Sequence, residues 1–357
     1  MKSRKFLKIT ALLLALFQLT AVLSGCLPIA PGIASMLEDA LSQASEQHED
    51  EQQEPPAQSS ETEPSVESSA VDSAVNPLFW EISSEKYSGR VYLFGSIHAA
   101  RADTYPLPEH IMEAFDSSDA LAVECDTVAF EEDQNRQMNA LRSIAYLDGT
   151  TIRDHLSEQN YADAVELLRS LDLYASQYDY YKPALWTSIL DSHIVTQAGL
   201  NYDRGLDDFF IRRAKESGKE LLEIESVEFQ YDMLGGFSDR LQELMLEDYL
   251  AEDALEDQAE GLKQLYESWA CGDPSGLFDE SDDSSQIPEA DRVYYEEYAE
   301  KMLTERNTRM ADAAESYVKR GMNVFLVVGS AHMLGSGGIV ELLRARGYEV
   351  TEYQNRY

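Results

Sequence analysis

The sequence predicts an α/β fold: a central, mostly parallel sheet with helical layers and a helical cap insertion. Two observations carry this prediction. Three short runs, Val91-Tyr92-Leu93-Phe94, Ala120-Leu121-Ala122-Val123 and Val324-Phe325-Leu326-Val327-Val328, are apolar almost throughout, which suits strands covered on both faces. Between them lie long stretches with Leu, Tyr and Ile at helical spacing, and parallel strands need helical crossovers.

The chain opens with Lys2, Arg4, Lys5 and Lys8 and no acid, and then an apolar run over 9–23 that ends in Leu23-Ser24-Gly25-Cys26. That is the layout of a signal peptide over 1–25. Leu-x-Gly-Cys at this place resembles a bacterial lipobox, which implies cleavage before Cys26 and diacylglycerol on its sulfur. Firm membrane attachment takes two or three acyl chains, and no later stretch approaches the roughly 20 apolar residues of a spanning helix. The expected mature protein is exported and anchored through Cys26, facing away from the cytoplasm. After it, eleven acids and no Lys or Arg lie between Glu38 and Asp72. Such a composition cannot offset chain entropy by burial, so 26–76 reads as a lipidated cysteine on a disordered, self-extending acidic linker.

The formal net charge is −38, and loss of the four basic groups ahead of Cys26 takes it near −42. A field of that sign excludes nucleic acid as a partner and repels anionic headgroups, which leaves membrane attachment to the anchor. Cys125 and Cys271, the cysteines after Cys26, are too few for a disulfide framework; one bridge or two separate thiols both fit.

The folded domain is expected over 77–357, where aromatic and β-branched residues begin. The strand at 91–94 opens into Gly95; Pro106 and Pro108 precede a short helix over 109–118; the strand at 120–123 then delivers Glu124. These three complete a strand, helix, strand unit. Residues 131–200 read as helices, 207–217 as another that Gly218 stops, and 219–224 as a strand ending at Glu225. Helical patterns over 239–271 and 290–320 flank an acidic, Ser-rich loop. The strand at 324–328 opens into Gly329, a helix over 338–346 is stopped by Gly347, and 348–352 forms a closing strand.

One grammar occurs twice: Gly95-Ser96-Ile97-His98 and Gly329-Ser330-Ala331-His332 each follow an apolar strand. Ligands of α/β sheets bind beyond the carboxyl ends of the strands, so both imidazoles are expected at one rim. Glycine there permits close backbone approach. A single strand-end His is ordinarily structural, whereas two in matching contexts point to a shared site. The pair, together with Tyr105-Pro106-Leu107-Pro108, Val123-Glu124, Gly205-Leu206-Asp207, Glu225 with Gln230, and Glu305-Arg306-Asn307 ahead of Met310, resembles the TraB/GumN family from Pro77 to the end. Ser96 stands where that family usually has Thr, and Ser226 where Thr is frequent. The resemblance implies a fold similar to that of erythromycin-esterase-type proteins. It also implies a hydrolase-like centre, with metal-dependent peptide cleavage in the Tiki members.

Two routes to chemistry fit these residues. His98, Glu124 and His332 could ligate one divalent ion, Zn, Mn or Co, with an open position where bound water becomes the nucleophile. Alternatively, His98 is a general base oriented by Glu124, and His332 or Arg306 stabilises developing negative charge with no metal. Asp207 and Glu225 rank second, as groups that orient a His or add a ligand. Arg306 and Asn307 fall on a predicted helix, where an inward Arg needs a carboxylate. The glycines at 335–338 resemble a phosphate cradle without its Lys and read better as a tight turn. His110, His155 and His193 read as surface or core residues, and Tyr178, Tyr180 and Tyr181 as packing. The expected function is a membrane-anchored extracytoplasmic hydrolase acting on peptide or amide bonds of a peptide or protein substrate. A peptide-sequestering lipoprotein and a metal-independent esterase are the alternatives.

Overall fold

The computed structural model describes residues 75–278 and 287–353. The expected signal peptide, the anchor at Cys26 and the tether before 75 lie outside the described residues. Val75 is buried, and the Asn76 N–H donates to the Ala270 carbonyl at 2.6 Å, so both residues ahead of Pro77 pack on the domain.

Among the described residues one sheet is formed by β1 (Phe79–Ser84), β2 (Tyr87–Ser96), β3 (Ala120–Val123), β4 (Glu220–Glu223), β5 (Asn323–Gly329) and β6 (Glu349–Glu352), in the order β4-β3-β5-β2-β1-β6. β4, β3, β5 and β2 run parallel, and β1 is antiparallel to β2 and β6. The sheet is thus α/β with the mostly parallel core that the apolar runs predict. Val324 to Val328 are all fully buried, as suits a central strand with parallel partners on both sides.

The strand, helix, strand unit forms as a split one. The Glu109–Ser117 helix and β3 form, but β5 lies between β2 and β3. Local patterning names the elements; their lateral order is a matter of which apolar faces pack best. Two helical patterns are also interrupted. The 239–271 pattern splits into Asp239–Glu247 and Ala254–Cys271, with Asp253 between them in the left-handed region at φ +63°. The 290–320 pattern holds a π turn, Glu300–Thr304, between the Arg292–Ala299 and Glu305–Lys319 helices; such turns are rare and favour functional sites.

One sheet face is aromatic: Phe94 and Phe325 meet Phe210 of the Leu206–Ser217 helix, and Phe115 and Trp269 close over them. The Glu305–Lys319 helix packs on β2 and β5. A Cβ on Gly89 would stand 2.4 Å from the Val318 carbonyl oxygen, so that helix lies on the sheet at backbone distance. Helices from the two long connections pack on one another, Val227–Gly235 on Gln134–Ser143 and both Asp239–Glu247 and Ala254–Cys271 on Pro183–Gln197. They form the helical layer. No helix of the described residues is long and apolar enough to cross a membrane.

Candidate active site

The four parallel strands end at one rim. Ser96 is in register with Gly329, and Val123 with Val327 and Glu223. A few residues beyond those ends come His98, His332, Glu124 and Glu225. Two glycines are closely packed here. A Cβ on Gly95 would meet Ser330 Oγ at 3.0 Å, and one on Gly205 would stand 2.5 Å from the His98 carbonyl oxygen. The Leu206 N–H donates to the Ile97 carbonyl at 3.1 Å, which seats the start of the Leu206–Ser217 helix, and with it Asp207, against the first motif.

Glu124 is the hub. Its Oε1 accepts the Gly329 N–H at 2.7 Å and lies 3.8 Å from His332 Nε2; its Oε2 accepts from Arg306 Nη2 at 2.6 Å and Gln230 Nε2 at 3.2 Å. Arg306, fully buried, also grips Glu225, with Nε at 3.1 and 3.0 Å and Nη2 at 2.9 Å. Arg309 reaches Glu225 Oε1 at 2.9 Å from a half-exposed position. The carboxylate required for an inward Arg on this helix is therefore present twice. Burial works to raise the Glu124 pKa, and the Arg306 guanidinium, the two imidazoles and the Gly329 N–H outweigh it, holding it at about 2.

The imidazoles are held differently. His332 Nδ1 is 2.6 Å from Asn307 Oδ1, and Asn307 Nδ2 donates to the Gly337 carbonyl at 2.9 Å. The amide orientation this fixes makes Nδ1 the donor and leaves the Nε2 lone pair free. Burial first, then Arg306, lowers the His332 pKa to about 3, so the ring is neutral at physiological pH. His98 Nδ1 lies 2.8 Å from Asp207 Oδ2, and Ser96 Oγ donates to Asp207 Oδ1 at 2.8 Å. The His98 to Asp207 separation is that of a hydrogen bond, but neither atom finds its partner in hydrogen-bond alignment. Burial lowers the His98 pKa, and Asp207 and Glu124 more than reverse this, so the net shift is upward.

His98 Nε2, His332 Nε2 and Arg306 Nη1 are buried with no hydrogen-bond partner among the described residues. Two partnerless imidazole nitrogens beside a carboxylate are donors of the kind a divalent ion takes. Among the described residues no group of three or more His, Cys, Asp or Glu stands close enough together to hold a metal ion.

A model of the TraB/PrgY/gumN family matches residues 78–352. The chain belongs to this family. It is 25% identical to metalloprotease TIKI2 of Danio rerio, over 77% of this chain and 61% of that protein, and 25% identical to metalloprotease TIKI1 of Homo sapiens, over 78% and 62%. It is 23% identical to the uncharacterized protein YbaP of Escherichia coli (strain K12), over 71% and 87%. The aligned region spans less than two thirds of the TIKI proteins' own length. No solved structure matches the chain.

In this TraB-family chain the structure brings Glu124, Arg306, Glu225, His332 and Asn307 into one buried network, and sets the separate His98, Asp207 and Ser96 chain near enough for the Glu124 charge to act on the His98 ring. The sequence marks Gln230 as a family-like position and Ser96 as a departure from one, gives neither a role, and does not single out Arg309. The signal for Arg309 was its place three residues after Arg306, on the same helix face. The Gly335 to Gly338 segment is a tight turn, with φ of +79° at Gly335 and +86° at Gly337, and it lends a carbonyl to Asn307. Cys125 and Cys271 are separate thiols, the first buried and the second exposed. A cavity of about 120 Å³ beside Arg101, Tyr266 and Cys271 shares no residue with the network.

Proposed function

We propose that this chain is a membrane-anchored, extracytoplasmic hydrolase that cleaves peptide or amide bonds at the His98, Glu124 and His332 rim with a divalent ion. The observation that carries the reading is a set of three buried atoms without hydrogen-bond partners among the described residues, His98 Nε2, His332 Nε2 and Arg306 Nη1, on side chains of which His332 and Arg306 contact Glu124. The names of the TIKI relatives support a metalloprotease. His98 Nε2, His332 Nε2 and Glu124 Oε1 would hold the ion, which when bound supplies a polarised water and a Lewis acid.

The chain's own groups account for the rest. Glu124, ionised across the working pH range, holds negative charge beside the His332 ring. His332, neutral, offers its Nε2 lone pair and no proton. Arg306 Nη1 is a buried N–H donor that, in this reading, would stabilise negative charge on a reacting carbonyl oxygen. Burial of the network strengthens each of these interactions.

The test is elemental analysis of the purified full chain, with a peptide and ester substrate panel run before and after chelation, for wild type and His98→Ala/His332→Ala. The expected result is bound Zn, Mn or Co and peptide cleavage in the wild type, with both lost in the double variant. Equal metal content in the two proteins, or cleavage indifferent to chelator, sinks the metal reading. Ester cleavage without peptide cleavage would favour the esterase. Saturable peptide binding that survives the double substitution would favour sequestration. The anchor is tested separately: Cys26→Ser should move the protein from the membrane to the soluble exported fraction.

A further inference from the structure

We infer that Ser96 is a positioning residue of this centre, its hydroxyl aiming the Asp207 carboxylate at His98. The inference rests on the reading of His98 as a site residue. The two Gly-Ser-x-His motifs are alike in sequence, yet their serines act differently. Ser330 Oγ donates to the Ser96 carbonyl at 2.8 Å and ties β5 to β2 beyond the strand ends. Ser96 Oγ, fully buried, instead reaches Asp207 Oδ1 at 2.8 Å.

The difference follows from what holds each ring. Asn307 carries its own lock, because its amide donates to the Gly337 carbonyl while its oxygen takes His332 Nδ1. A carboxylate has no donor with which to lock itself, and its terminal torsion is broad and two-fold. A donor at Oδ1 removes that freedom and turns Oδ2 toward the ring. Because the His98 to Asp207 contact is close in distance and imperfect in direction, the ring's orientation depends on where that carboxylate points. Both imidazoles thus end a two-link chain, Ser96 to Asp207 to His98 and Gly337 to Asn307 to His332, and only the first depends on a motif serine.

The experiment compares the full chain with Ser96→Ala, Ser96→Thr and Ser96→Cys. Ring ¹⁵N signals of histidine-labelled protein and peptide turnover are both measured. In Ser96→Ala the His98 ring signals should shift while those of His332 stay, and kcat should fall about tenfold to a hundredfold at a KM within about twofold, the scale of supporting-contact losses. Ser96→Thr should restore both. Ser96→Cys, which keeps the volume with a poor donor, supplies the same reading should Ser96→Ala fail to fold. Unmoved His98 signals in the donor-poor variants, or equal shifts in both histidines, overturn the inference. If the wild type cleaves no peptide, the proposed activity falls, and the ring signals still decide the role of Ser96.

Discussion

Replacing Arg306 with Met tests the charged network most directly. The guanidinium is fully buried and contacts two carboxylates whose side chains are 5% and 0% exposed. Removing it leaves both acids in a low-dielectric setting without their shared cation, and breaking a buried pair in this way costs about 3–5 kcal/mol. Each acid keeps some support: Glu225 retains Arg309 at 2.9 Å, and Glu124 retains the Gly329 N–H at 2.7 Å and Gln230. The expected loss is therefore near the lower end, about 3 kcal/mol, read from urea unfolding of the full chain at neutral pH in chelator. Adding Glu225→Gln to Arg306→Met removes one of the stranded charges and should restore at least about 1 kcal/mol. A single variant within about 1 kcal/mol of wild type, or a double variant in which the two costs simply add, would refute the argument that these three groups are coupled through burial.

Other substitutions probe separate claims. Burial first, then Glu247, raises the Asp248 pKa to about 9, and its Oδ2 has no hydrogen-bond partner among the described residues. A carboxyl whose folded pKa is raised contributes stability that is complete at low pH and lost as pH rises through about 9. Asp248→Asn should therefore flatten the decline in urea stability between pH 6 and pH 9 and gain at least about 1 kcal/mol over wild type at the upper end. An unchanged pH profile would show that Asp248 is solvated. Gly205→Ala would put a methyl 2.5 Å from the His98 carbonyl oxygen; the expected cost is about 1–3 kcal/mol, with displaced His98 ring signals, and a silent substitution would mean that the helix start is not seated as described. Of the two domain thiols, exposed Cys271 should react with a disulfide reagent quickly. Buried Cys125, its pKa pushed up first by desolvation and then by Glu124, should react slowly until the chain unfolds. Equal rates would contradict the burial.

What the sequence determined by itself is local. Apolar runs such as Val324 to Val328 state that they are buried strands, and the recurrence of Gly-Ser-x-His after two of them states that both imidazoles leave the sheet at its carboxyl edge. Arg306 on a predicted helix states that, if it faces inward, an acid must meet it. These signals survive in one dimension because each depends on neighbours within a few residues. Three things were decided only by tertiary packing: the insertion of β5 between β2 and β3, the choice of Glu124 and Glu225 as Arg306's partners, and the different tasks of Ser96 and Ser330. Ser96 meets Asp207 across 111 residues, and Arg306 meets Glu124 across 182. Contacts at such separations follow from which faces bury together, and a donor's identity says nothing of which acceptor will be brought beside it.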